Sequence, residues 1–242
     1  MTPEETAVAT SSAISQLASH FMLDGATYVR GGELGFDGMN FYVAGRGGVL
    51  GRVDADVVSA GFVFFNPATI RAGWEASLAV MEPAAAAEAF AACGHQWGRD
   101  KLPDDLDCAR LAELAAKVAD AASPAGAPVF AGWRALPNPD DAKADALHQM
   151  NLLRELKMAH HGAATITQGL AAVEAMMVAQ PYMAPVFGWE EPYPEAEPCR
   201  ERWERAEAAT TAAMAAALSV LDEAERDEFS ALANAAADAT KG

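Results

Sequence analysis

Apolar and polar residues recur along most of this chain at helical rather than strand spacing. Ala7, Ile14, Leu17, Phe21 and Met22 form one apolar stripe. Thr2, Pro3 and Glu5 ahead of it make a capping-box start, and Gly25 makes a stop. Residues 25–52 are dense in glycine. They predict a short helix after Asp37 carrying Phe41 and Tyr42, then a tight turn, GRGGVLG, over 45–51. Asp54 caps the next helix (58–65), and Asn66-Pro67 restarts the chain as another, bearing Trp74.

Pro83 opens an alanine-rich helix that runs to 93–100, and Pro103, Asp104 and Asp105 open one through Ala122. Residues 123–128 read as a linker, and 129–139 as an apolar connection anchored by Trp133. Asn138, with Pro139 behind it, caps a long central helix that Gly162 weakens and Gly169 ends; a further helix runs to Gln180. A proline-rich loop with aromatic anchors fills 181–198, and two helices, 197–221 and 221–238, close the chain. The prediction is an all-α protein of multi-helix orthogonal or bundle architecture. It divides into a helical domain over 1–185 and a C-terminal helical segment over 186–242, with room there for a degenerate winged-helix-like part.

Composition agrees. Just over half of the 242 residues are hydrophobic, much of that alanine, the best helix former. A chain of this length buries a real core without staples. The formal charge of −17 favours solubility and repels polyanions, so DNA binding would need a local basic patch. The start, MTPEET, lacks the basic-then-apolar pattern of a signal peptide, and no apolar run approaches the roughly 18 residues of a membrane span. A cytoplasmic protein with no membrane partner is expected. Cys93, Cys108 and Cys199 are odd in number and without a CxxC, as suits reduced thiols.

Candidate chemistry concentrates between His148 and Val173, which hold three of the five histidines. Helical phase places His148, Leu152, Glu155, Leu156, Ala159, Ala163 and Ile166 on one apolar face, with Arg154, Lys157 and His161 toward the other side. An ionised Glu155 facing a core is costly unless paired. Three readings follow. Glu155 pairs with Arg46 of the glycine-rich turn, or with a tyrosine, purely to fix the fold. Alternatively, Glu155 and His148 line a cavity as acid/base or ligand-orienting groups. In the third, His148 and Glu155, with His160 or His161, hold a metal. The last lacks the Glu-x-x-His motif of bundle metal sites, and Cys93 with His95 supplies only two ligands.

The cluster Phe62, Phe64, Phe65, Ile70 and Trp74 reads as core or as the wall of an apolar pocket. GRGGVLG is not a phosphate loop, because G-x-x-x-x-G-K-[ST] and a preceding strand are both missing. There is no G-x-S-x-G and no supported Cys–His pair, so neither a reaction nor a cofactor is indicated.

The runs FYVAGRGGVLGRVDADVVSAGFVFFNPATIRAGWE (41–75) and HQMNLLRELKMAHHGAA (148–164) resemble an uncharacterised actinobacterial family of helix-turn-helix or winged-helix proteins. Tyr42, Gly45, Arg46, Leu50, Gly51, Phe64, Phe65, Pro67 and Trp74 carry the first match; His148, Leu152, Leu153, Arg154, Glu155 and His161 carry the second. The resemblance implies a helical fold and admits a DNA partner. Residues 189–242 depart from it, with 13 acids against five bases. The closing LDEAERDEFSALANAA is similar to the last helix of dimeric regulators of the multiple-antibiotic-resistance type, which implies a homodimer.

The leading expectation is therefore a small-molecule-binding protein. Its pocket lies between the aromatic cluster 41–74 and the helix 148–173, lined by Arg46, Tyr42, Phe65, Trp74, His148 and Glu155. A helix-turn-helix transcription regulator is the first alternative. A metal- or cofactor-dependent enzyme using Glu155 or His148 as acid/base is the second.

Overall fold

The chain runs as α1 (Pro3–Leu23), α2 (Gly25–Glu33), α3 (Asn40–Gly47), α4 (Ala55–Gly61), α5 (Pro67–Ser77), α6 (Pro83–Lys101), α7 (Cys108–Ala121), α8 (Pro128–Arg134), α9 (Ala142–Thr167), α10 (Ala172–Ala179), α11 (Arg200–Leu218) and α12 (Glu223–Ala239) in a computed structural model that describes residues 1–241. No strand occurs among the described residues, so the fold is all-α and the C-terminal part carries no hairpin wing there. No single helix is long and apolar enough to cross a membrane.

Local signals set many of the ends. The Thr2 hydroxyl accepts from the Glu5 N–H at 3.2 Å while the Glu5 carboxylate accepts from the Thr2 N–H at 2.8 Å, closing the capping box at α1. Asn66 caps α5 through the Ala68 N–H, with Pro67 at the first helical position. Gly169, at a positive φ just beyond α9, allows the chain to reverse.

Other boundaries fell elsewhere. The central helix starts at Ala142 rather than after Asn138, because Asp141 accepts the Ala144 N–H and is also held by Arg99 at 2.8 Å. The apolar connection after residue 128 forms the short helix α8. The glycine-dense stretch is largely helical, as α2 and α3, so Arg46 sits in the last turn of a helix and not in a loop. Close packing explains Gly45 and Gly48, whereas Gly35, Gly38 and Gly51 keep the positive φ of turn residues. A Cβ on Gly45 would come within 2.3 Å of the Phe90 side chain, and one on Gly48 within 2.1 Å of the Pro83 carbonyl oxygen.

α9 is the axis. At 26 residues it is about 39 Å long, and α1, α6, α7, α8 and α11 all pack around it. α12 packs on α1 and α7, so residues on both sides of position 186 share one core, from Ala7 to Ala237. A smaller cluster of Phe64, Ala175, Met176 and Ala184 lies beneath the proline-rich loop.

Candidate functional site

The close approach of α3 to α6 at Gly45 and Gly48 carries Arg46 into the interior opposite α9. There Nε and Nη2 of Arg46 donate to the two oxygens of Glu155 at 2.9 and 2.8 Å. This is the two-pronged arrangement that suits a guanidinium and a carboxylate. Arg154, the preceding residue of α9, donates from Nη1 to Glu155 at 2.6 Å and from Nε to the Ser19 hydroxyl at 3.0 Å. The Arg46 guanidinium also lies over the Phe62 ring, 4.3 Å from its centre.

Burial opposes both charges, yet the pair wins. Desolvation pushes the Glu155 pKa up, but Arg46 and Arg154 more than offset it and hold the carboxyl below its usual range. Desolvation likewise pulls Arg46 down, and Glu155 with Tyr42 more than restores it, so the guanidinium stays charged.

His148 belongs to the same buried seam. The Trp133 indole N–H donates to the Arg46 carbonyl at 3.2 Å, and the Trp133 ring centre is 6.4 Å from that of His148. Nδ1 of His148 lies 3.2 Å from Nε2 of His95 on α6. His148 is 3% exposed, and its Nε2 has no hydrogen-bond partner, nor does the buried amide of Asn151 one turn on. Burial first, and then the neighbouring His95, push the His148 pKa down to about 4. The imidazole is thus neutral at pH 7.

A small cavity of about 40 Å³ opens beside this seam. Tyr42, Arg46 and Phe65 line it, as do Phe62, Phe64, Arg154, Met158 and Phe187. Of the residues singled out in the sequence, Glu155 stands directly behind the two arginines. His148 and Trp74 do not line the cavity. Trp74 is fully enclosed, with its N–H on the Val53 carbonyl at 2.9 Å.

Arg154, Met158 and Phe187 escaped the sequence reading. Helical phase assigned Arg154 to the outer side, and Phe187 arrives from a loop 122 residues beyond Phe65 to stack on it at 4.1 Å. Phase also misplaced the far end of the stripe: Ala163 and Ile166 are exposed, Ile166 to 64%. His161 instead turns inward, stacked on Phe64 at 5.1 Å and 3.2 Å from both Thr210 and Glu207. α11 covers that side of α9, which no local signal could report. Among the described residues no group of three or more His, Cys, Asp or Glu side chains is placed to hold a metal ion. Glu155, engaged by two arginines, offers no lone carboxylate for one.

A second arrangement lies on the other side of the aromatic cluster. α3 and α4 both pack on α5. The Ser77 hydroxyl donates to the Asn40 carbonyl at 3.1 Å, and Gly73 lets α5 close on Asn40 and Val43. The segment from Ala55 to Ser77 is a helix, a short turn that starts after Gly61, and a second helix with one face in the core. That is the topology of a helix-turn-helix unit. The outward face of α5 presents Ala68, Thr69, Arg71, Ala72 and Glu75.

Bases on the surface, that of α5 included, are mostly matched with acids: Arg52 with Glu82, Arg71 with Asp56 and Glu75, Arg110 with Glu113 and Glu228, Lys117 with Glu225, Arg205 with Glu201. Nearby, Arg200 meets Glu197 and Arg202 meets Glu174.

The model of a family described as a helix-turn-helix family matches residues 7–241, nearly the whole chain. No curated protein and no solved structure matches.

Proposed function

The chain belongs to the helix-turn-helix family, and on that premise we propose that it is a DNA-binding transcription regulator whose α3–α4–α5 unit docks on the duplex. The observation that carries this reading is α5. It is anchored from behind by Trp74 and Ile70, both fully buried, and shows solvent the small residues Ala68, Thr69 and Ala72 beside Glu75 and a single arginine, Arg71, which pairs with Glu75 and Asp56. A helix entering the major groove needs that form. Ala and Thr contact thymine methyls, and Arg reaches guanine or a phosphate. α12, by contrast, opens on Glu223 and Glu225 behind Asp222.

The electrostatics shape the expected behaviour. With a net charge of −17 and matched surface bases, little affinity comes from counterion release, which normally scales with the phosphates neutralised. Binding therefore depends on groove contacts and is sequence-selective and modest in affinity. Fluorescence anisotropy with genomic fragments should show a selective complex at low salt, with a salt slope equivalent to about two phosphate contacts. Arg71→Ala should weaken the complex. Absence of binding to any fragment at low salt would refute the assignment.

A second reading, small-molecule binding, is favoured by the arginine-lined cavity. A regulator of this kind can use both.

A further inference from the structure

We propose that the cavity between Arg46 and Arg154 is a binding site for a small organic monoanion, a carboxylate carried on a flat apolar body. This assignment stands on the interior alone and does not require the DNA-binding reading.

Charge gives the sign. Two guanidiniums share one carboxylate: the side chains of Arg46 and Arg154 are 5% and 11% exposed, and that of Glu155 is 0%. The cluster therefore holds one positive charge more than negative in a place where an uncompensated charge is costly. Lys157, the next cation along α9, is engaged elsewhere, its ammonium taken up by the oxygens of Ser11 and Ser15. In a chain with twice as many acids as bases, an interior excess of positive charge facing a cavity marks an anion site. Nη2 of Arg154 makes no hydrogen bond to the described residues, so a donor remains beyond those that hold Glu155.

Size and walls give the class. A volume of about 40 Å³ equals roughly three water sites at ~10–15 Å³ each, which is the scale of a carboxylate group. One negative charge balances the cluster, whereas phosphate near neutrality carries more. The remaining walls are Phe62, Phe64, Phe65 and Phe187, surfaces that receive an aromatic or aliphatic body rather than a hydrated ion.

Phe187 is the wall supplied from outside the aromatic cluster's own helices. It lies on the proline-rich loop and stacks on Phe65 at 4.1 Å. The loop is moored by the Asn66 N–H on the Phe187 carbonyl, the Asn66 amide on the Gly188 carbonyl and the Trp189 indole on the Phe64 carbonyl. A ligand ring that takes Phe187's place on Phe65 extends the cavity outward while its carboxylate meets the arginines.

Titration calorimetry of the full chain with benzoate, benzamide and inorganic phosphate tests this. Benzoate should saturate at one site. Benzamide, of the same shape without the charge, and phosphate should each bind at least about tenfold more weakly. Arg154→Gln should weaken benzoate by a similar factor, and Phe187→Ala should strengthen it. Benzoate that fails to saturate, or binds no better than benzamide, overturns the site. Phosphate equal to benzoate overturns the carboxylate assignment. If circular dichroism shows Arg154→Gln unfolded, Met158→Trp fills the cavity without touching the ion pair. Benzoate affinity unchanged by that substitution overturns the location.

Discussion

Arg46 and Glu155 lie 109 positions apart in sequence and meet through two hydrogen bonds of 2.9 and 2.8 Å in the interior. The pair ties α3 to α9. It fixes the aromatic face that α3 shares with α4 and α5, and it leaves Arg154 as a second guanidinium on one carboxylate. The cavity wall and the α3–α4–α5 unit thus meet the central helix at this contact.

Removing one partner should cost far more than removing both. Glu155→Gln leaves two buried guanidiniums without a counterion and is expected to lower stability by about 3–5 kcal/mol. Replacing Arg46 and Glu155 together by Met and Leu should recover part of that loss, since only Arg154, which keeps its bond to Ser19, then lacks a counterion. Urea midpoints across the double-mutant cycle supply the answer; simple additivity would mean that the two residues are not coupled.

Stability should fall in mild acid. The His148 pKa is depressed in the folded state from 6.5 to about 4. Between those values the unfolded chain binds the proton that the folded chain refuses. The stabilisation is therefore complete above pH 6.5, declines as pH falls, and is gone below pH 4. At pH 5 the loss from this residue alone is about 2 kcal/mol. Glu155, also depressed in its folded-state pKa, adds its loss further into acid as pH falls below the unfolded carboxyl value. Unfolding of His148→Gln at pH 7 and pH 5 should show a visibly smaller difference than wild type. An identical difference would assign the acid sensitivity to another group.

Two glycines should respond in opposite ways to alanine. A Cβ on Gly48 meets the Pro83 carbonyl oxygen at 2.1 Å, a backbone atom that cannot swing aside; a loss of at least about 2 kcal/mol is expected. Gly25, at the start of α2, has nothing within 4 Å of its Cβ position, so Gly25→Ala should be neutral or stabilising by up to about 1 kcal/mol. Thermal melts of the two variants give the comparison, and equal effects would contradict the packing.

If α5 docks on DNA as proposed, the cavity and that helix should influence each other. Asn66, the cap of α5, holds the loop that carries Phe187, so a ligand that displaces Phe187 pulls on the start of α5. Saturating benzoate is expected to change the affinity for a bound DNA fragment, and that DNA to change benzoate affinity by the same factor. Binding of both with no mutual effect would show that the loop does not couple them.

Several features of this protein are written locally. Helical periodicity, the Thr2–Glu5 box, the Asn66-Pro67 start and the Gly169 stop are short-range signals, and they determined an all-α chain and most of its elements. The cost of burying a charge on an apolar stripe was enough to name Glu155 and to suggest Arg46 as its partner. Tertiary structure alone decided the rest. Gly45 reads as a turn residue until Phe90 lies against it. Arg154 reads as solvent-facing until α1 and the cavity surround it, and His161 until α11 covers it. His148 gains its low pKa first from burial among distant helices and then from a histidine 53 positions away. Phase along one helix states which residues share a face, but burial, charge balance and pKa depend on which distant helices pack against that face, and this information exists only once the chain has folded.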